Sequence, residues 1–195
     1  MKGRERQSRS GSYYNPEEAE AVIRILESLR DGAVTVNPSG GKTTTPWYSP
    51  ERVRVITFYQ GQVSHLQGRL RGRRGMGGVL VATVDSSQGC EADVVIVSFV
   101  RSNDRHGGGG GSGGGRYAAG FLTDDRRMNV ALTRAKYRLI CVGDVRGTLR
   151  LAGGETLREM VNDAEGRGCV IPFDGEGGGR AFGGGEGASA ASSAR

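Results

Sequence analysis

The chain has 195 residues, a formal net charge of +6 and 35 glycines. This length suffices for one ordinary domain, but glycines cluster at 107–115 and 175–185, where they add backbone entropy and bury no apolar side chain. No apolar run approaches the roughly 20 residues of a membrane span. The start, MKGRERQSRS, lacks the apolar segment of a secretory signal. We therefore expect a soluble, intracellular protein of the nucleus or cytoplasm, with disordered glycine-rich stretches.

The charge and the cysteines limit the possible partners. A sequence pI near 9.6 favours a polyanionic partner. Cys90, Cys141 and Cys169 are odd in number and widely spaced, so they predict neither a disulfide framework nor a CxxC metal site. His65 and His106 stand apart from any cysteine. We predict no metal bound by protein ligands alone.

The first half of the chain alternates helix and strand patterns. Apolar residues at helical spacing predict a helix over 17–30. The polar segment 31–50 is longer than the usual helix-to-strand connection and is interpreted as an insertion. A β-branched run at 52–58 predicts a buried strand, and a helical stripe at 60–70 predicts the next helix.

The second half continues this alternation. Nearly continuous apolar runs at 79–84 and 94–100 predict two parallel, central strands. Thr123 or Asp124 can cap a helix that extends to about Lys136. A fourth strand is predicted at 137–142 and a last helix at 155–165.

This alternation predicts one α/β domain with a doubly wound, mostly parallel sheet. The expected organisation is a flexible basic start at 1–11, a folded domain at 12–173 with insertions at about 31–50 and 104–116, and a disordered Gly/Ala/Ser-rich tail at 174–195.

The segment SGGKTTT invites a phosphate-loop interpretation, which fails. The GxxxxGK[ST] motif requires a glycine where this sequence has Val36, and Pro38 lies inside the segment. The segment TTPWYSP, which follows, is not a helix start. The domain therefore has no phosphate loop of its own.

Two other segments are far more specific. Residues 83–103 read TVDSSQGCEADVVIVSFVRSN, and residues 120–144 read GFLTDDRRMNVALTRAKYRLICVGD. Together they resemble motifs V and VI of superfamily 1 helicases, in the group that includes the nonsense-mediated-decay helicase and senataxin. SYYNPEEA at 12–19 resembles the opening of the second domain in that group, and VITFYQGQV at 55–63 resembles its motif IV.

The resemblance implies a RecA-like second domain of a helicase motor, with ATP bound in the cleft between it and a first domain. Arg134, in ALTRAK, matches the arginine finger, and a guanidinium suits charge that spreads over γ-phosphate oxygens. Arg127, seven residues earlier on the same predicted helix, would steady the site. Glu91 matches the carboxylate near the nucleotide sugar, and Gly89 would let the backbone come close to the ligand.

The same resemblance implies contacts to a nucleic-acid backbone. The residues concerned are Thr57, Gln62, Ser86, Ser87 and Gln88. The chain departs from the family pattern at Cys90, where an arginine is common, and at Phe58, where proline is usual. Asp85 is interpreted as structural, and Asp124 and Asp125 as residues of a helix start.

The 195 residues contain no Walker A loop and no acidic Walker B strand, so we expect ATP with Mg²⁺ only in a complete two-domain motor. Single-stranded RNA or DNA and a first RecA-like domain are the expected partners, with no membrane partner. A fragment, an incomplete gene model and a degenerate copy all fit. The alternative function is a catalytically inert nucleic-acid-binding or scaffold domain that retains the fold.

Overall fold

The computed structural model describes residues 4–31, 49–102, 120–150 and 153–173, together with the backbone of 34–36 and 42–44. The elements are β1 (Arg6–Gln7), β2 (Tyr13–Tyr14), α1 (Pro16–Asp31), β3 (Val34–Val36), β4 (Lys42–Thr44), β5 (Val53–Thr57), α2 (Gln60–Leu70), β6 (Leu80–Thr83), β7 (Ala92–Ser98), α3 (Asp125–Leu132), β8 (Ala135–Val142) and α4 (Glu155–Gly166).

A parallel four-stranded sheet organises the domain, in the order β6-β5-β7-β8. Buried residues of α1 and α2 share one apolar cluster with one face of the sheet. Buried residues of α3 and α4 share a second cluster with the opposite face. Helices on both faces of a parallel sheet confirm the predicted doubly wound α/β fold.

Three sequence predictions differ from the structure. β6 is parallel as predicted, but it lies at the edge of the sheet and exposes Leu80. α3 ends at Leu132 instead of Lys136, because Ala135 already pairs with β7. The start of the chain, predicted to be flexible, forms β1 from Arg6, which pairs antiparallel with β2.

The predicted insertions are only partly within the described residues. Inside 31–50, β3 and β4 form an antiparallel hairpin, with Val36 opposite Lys42. The insertion predicted at 104–116 and the tail predicted at 174–195 lie outside the described residues.

A buried ion pair holds the segment that follows β7 to the start of the chain. Arg101 Nε lies 2.9 Å from Glu5 Oε2, and both side chains are largely buried. The same carboxylate oxygen accepts the amide of Ser102 at 2.9 Å. The Arg101 guanidinium also lies over the Tyr13 ring, 4.4 Å from its centroid.

Val100, in the middle of this segment, has a left-handed backbone with φ of 72°. A β-branched side chain makes this conformation costly, on the order of 1–3 kcal/mol, so the surroundings must impose it. The amide of Val100 donates to Glu18 Oε2 at 2.8 Å, and its carbonyl accepts from the Asn15 side chain at 3.0 Å. Two residues near the start of α1 thus hold the bend.

Glu18 is a fully buried acid without a cationic partner in its hydrogen-bond set. Its Oε2 accepts from the Ser98 hydroxyl and the Val100 amide, and Oε1 has no partner. Burial raises its pKa from 4.5 to about 8, and the nearby charges of Asp144 and Glu5 act in the same direction. The carboxyl is therefore protonated in the folded domain near neutral pH.

We expect the contribution of Glu18 to the stability of the domain to fall as pH rises. Between about pH 5 and pH 8 the folded state retains a proton on Glu18 that the unfolded state releases, so this contribution to the free energy of unfolding declines over the window, whereas the lowered pKa of His65 acts in the opposite direction. Glu18→Gln, a neutral isostere, flattens this decline in urea unfolding measured across the window. Glu20→Gln, on the same helix, is the matched control and should retain the wild-type slope. An unchanged slope in Glu18→Gln would contradict the assignment.

Candidate nucleotide and nucleic-acid site

A short 3-10 turn, Asp85–Ser87, follows the end of β6. The hydroxyls of Ser86 and Ser87 both donate to the carbonyl of Thr83, at 3.0 and 2.7 Å. Ser86 and Gln88 are exposed, whereas Ser87 is fully buried. The structure therefore presents Ser86 and Gln88 to solvent on an anchored turn and uses Ser87 internally. We refer to residues 85–88 as the motif V turn.

Thr57 and Gln62, the other predicted nucleic-acid contacts, are both fully buried. The Gln62 side chain accepts from the Asn15 amide at 2.9 Å and donates to the Ser98 hydroxyl at 3.0 Å. Thr57 Oγ1 has no hydrogen-bond partner. Their burial does not fit a surface contact, and Gln62 instead joins α2 to the α1 start and to β7.

The predicted nucleotide contacts in motif V lie just before β7. Gly89 has φ of 77°, a conformation that a side chain would strain, and it is exposed with Cys90 and Glu91. The Glu91 carboxylate forms no ion pair with any described residue. It is therefore free to accept from a ligand hydroxyl.

Arg134 lies beside Glu91, because β7 and β8 begin side by side. The Ala92 amide donates to the Arg134 carbonyl at 3.1 Å, and Ala92 is the register partner of Ala135. The half-buried Arg134 guanidinium folds back on the C-terminal end of α3, with Nε donating to the Val130 carbonyl at 3.0 Å. No described carboxylate pairs with it.

Arg127, unlike Arg134, has carboxylate partners. Its Nε lies 3.1 Å from Asp85 Oδ1 and 3.8 Å from Asp124 Oδ2, and its guanidinium lies over the Phe121 ring at 4.4 Å. Asp124 also caps α3, with Oδ1 accepting the amides of Arg126 and Arg127. Two carboxylates thus balance the charge of Arg127.

The two arginines therefore do not form the pair predicted on one continuous helix. Arg127 is in the first turn of α3, and Arg134 is two residues beyond its end. Seven residues of helix rise about 10 Å, which places them at opposite ends of the element. Of the four predicted nucleotide residues, the backbone brings Gly89, Glu91 and Arg134 to the start of β7 and β8.

Sequence reasoning missed three residues that organise this site. Asp85, interpreted only as structural, holds Arg127. Phe121 supports the same guanidinium, and Tyr59 lies 5.6 Å from Phe121 between ring centroids. A signal for Asp85 was present: an acidic residue directly after a strand, in a segment that also matches a ligand-binding motif.

Among the described residues, no group of three His, Cys, Asp or Glu side chains is arranged to hold a metal ion. No helix in the described part of the chain is long and apolar enough to cross a membrane.

The parallel sheet with helices on both faces and the similarity to known helicases identify the second RecA-like domain of a superfamily 1 helicase. The chain belongs to the family described as the AAA domain, whose model matches residues 1–146. Within that family it groups with the nonsense-mediated-decay and senataxin helicases, as the sequence motifs predicted.

Three relatives illustrate this grouping. The chain is 32% identical to "Helicase sen1" of Schizosaccharomyces pombe over 87% of its length and 9% of the relative. It is 36% identical to "Regulator of nonsense transcripts 1" of Caenorhabditis elegans, over 82% of the chain and 13% of the relative. It is 34% identical to "DNA polymerase alpha-associated DNA helicase A" of Saccharomyces cerevisiae, over 76% and 18%. The chain thus spans less than a fifth of these relatives.

Gln62 and Gln88 make a matched pair for testing the site. We expect Gln62→Leu to lower the free energy of unfolding by about 1–3 kcal/mol, because it leaves buried partners unsatisfied, without changing oligonucleotide affinity while the domain is folded. We expect Gln88→Ala to leave the free energy of unfolding unchanged and to weaken oligonucleotide binding about two- to tenfold, because one hydrogen bond is lost. Denaturant unfolding and fluorescence anisotropy with a labelled single strand measure the two effects. If the folded Gln62→Leu variant binds the oligonucleotide more weakly, Gln62 contributes to the nucleic-acid contact after all.

Proposed function

We propose that the chain is the C-terminal motor domain of an ATP-dependent RNA or DNA helicase and that Arg134 is its arginine finger. One observation carries the proposal: Arg134 is half-buried, its guanidinium has no described carboxylate partner, and its backbone lies beside that of Glu91 at the start of β7 and β8. A charge held in this way is available to an incoming anion.

The chemistry of phosphoryl transfer gives such a group its use. Charge spreads over the γ-phosphate oxygens in the transition state, and an arginine supplied by a second domain stabilises it. The planar guanidinium of an arginine suits phosphate oxygens because it can donate two parallel hydrogen bonds. The groups that now accept hydrogen bonds from Arg134, the Val130 carbonyl and the Thr133 hydroxyl, are uncharged, so an anionic phosphate would compete with them on favourable terms.

Glu91 and Gly89 would serve the nucleoside end of ATP. The exposed carboxylate of Glu91 can accept from ribose hydroxyls, and the left-handed backbone at Gly89 removes a side chain from the approach. Arg127 would add its positive charge to the nucleotide site once Asp85 and Asp124 release it.

Single-stranded nucleic acid would contact the motif V turn. Ser86 and Gln88 offer uncharged polar groups of the kind that position a protein on phosphates without reading sequence. The net charge of +6 favours the same partner. These contacts are compatible with RNA and with DNA.

The phosphate cradle and the Mg²⁺ ligands would come from a first RecA-like domain, since the 195 residues contain neither Walker motif. Positioning and charge neutralisation are most of phosphoryl-transfer catalysis, so we propose that this chain alone does not hydrolyse ATP. The second candidate function, an inert nucleic-acid-binding or scaffold domain, fits the same fold. Arg134, which has no carboxylate partner among the described residues, favours the motor.

We expect ATP hydrolysis only when the chain is joined to a first domain. The test compares nucleic-acid-stimulated ATPase activity of the 195-residue chain, of the chain fused behind the first RecA-like domain of a related helicase, and of the fusion carrying Arg134→Ala. The fusion should be active, and Arg134→Ala should lower kcat about a thousandfold or more.

Arg158→Ala, which removes an exposed arginine from α4, is the matched control and should retain full activity. A folded but inactive fusion that still binds a single strand would favour the inert binding domain. Full activity in Arg134→Ala would remove the arginine-finger assignment.

A further inference from the structure

The motif V turn contacts α3 through one ion pair. Asp85 Oδ1 on the turn lies 3.1 Å from Arg127 Nε on the helix. No other hydrogen bond or ion pair joins residues 85–88 to α3 within the described chain. Any displacement of the turn therefore reaches the helix first through Asp85.

Arg127 in turn connects to a row of aromatic rings. Its guanidinium lies 4.4 Å from the Phe121 centroid, Phe121 lies 5.6 Å from Tyr59, and Tyr59 lies 5.7 Å from Tyr13. Arg101 lies over the far side of this row, against Tyr13. The Phe121 ring and Asp124, whose Oδ2 lies 3.8 Å from Arg127 Nε, thus contact Arg127 independently of Asp85.

The ion pair between Asp85 and Arg127 is weak enough for a competing charge to break it. The Asp85 side chain is 66% exposed and that of Arg127 is 34% exposed, and ion pairs this accessible to water are individually weak. Ser86 and Ser87 are bound to Thr83 at the end of β6, so a phosphate that contacts the turn would move the exposed Asp85 side chain while the backbone of the turn stays anchored. Repulsion between that phosphate and the Asp85 carboxylate would act in the same direction.

We infer that Asp85 is a positioning residue. When nucleic acid binds the motif V turn, Asp85 changes its contact with Arg127 and so transmits the binding event to α3. This inference rests on the proposed function, which places nucleic acid at the turn and nucleotide at Arg134, with Arg127 at the other end of α3. With the turn empty, Asp85 holds Arg127 and, together with Asp124, balances its charge. With a strand bound, Asp85 withdraws and Arg127 keeps only the longer contact to Asp124, so more of its charge is available to phosphate.

The whole chain, without any partner domain, is sufficient for the test. A short oligouridylate or oligothymidylate is titrated into isotope-labelled chain while NMR follows the Nε–H signal of Arg127 and the backbone amides of Ser86 and Gln88. Loss of the signal in Arg127→Lys assigns it. In the wild type the Arg127 signal and the two amides should shift with the same midpoint.

Asp85→Asn should retain the amide shifts and lose the Arg127 response, and Asp85→Glu should restore the response. Asp163→Asn, which removes a carboxylate from the exposed pair with Arg167, is the matched control and should behave as wild type. An Arg127 signal that still responds in Asp85→Asn, or stays silent in the wild type while the amides shift, overturns the inference but leaves nucleic-acid binding in place. Amides that never shift remove the nucleic-acid contact and the inference together.

Discussion

The parallel pairing of β7 with β8 is the constraint on which the site depends. Parallel strands that are hydrogen-bonded neighbours begin at the same edge of a sheet, and the bond from the Ala92 amide to the Arg134 carbonyl starts this ladder. Two segments more than 40 residues apart in sequence thereby bring the backbones of Glu91 and Arg134 side by side. Neither side chain is tied to the other, so both remain available to a ligand.

A second constraint acts at the opposite end of β7. Glu18 and Asn15 hold Val100 in a conformation that its own side chain disfavours, and Gln62 bonds to Asn15 and Ser98 beneath it. A buried polar network of this kind is costly unless nearly every member is satisfied. It therefore specifies one arrangement of α1, α2 and β7, which apolar packing alone would leave less sharply defined.

Much of the fold follows from local pattern. The stripe of Val63, Leu66 and Leu70 predicted α2 with the bounds that the structure has, and the continuous apolar runs predicted parallel strands covered on both faces. The end of α3 could not be predicted in this way. Ala135 fits the helical stripe, but its pairing with β7 takes precedence, so the chain leaves the helix at Thr133.

The candidate site was likewise predictable from sequence only in part. Motif resemblance selected Arg134, Glu91 and Gln88, all of which the structure leaves accessible or without a carboxylate partner. It also selected Gln62, whose burial depends on Asn15 and Ser98, 47 and 36 residues away. No local pattern encodes such partners. The charge balance at Arg127 was missed for the same reason, because Asp85 is 42 positions away in sequence.

The pairing of Glu5 with Arg101 has a practical consequence for anyone who trims this domain for crystallisation or binding assays. A version that starts at residue 12, where the helicase-like pattern begins, would remove Glu5 and leave the largely buried Arg101 guanidinium without its counter-charge. Removing one member of a buried pair is far more damaging than replacing both. The useful boundary therefore lies before Arg4, inside the basic segment that the sequence predicted to be flexible.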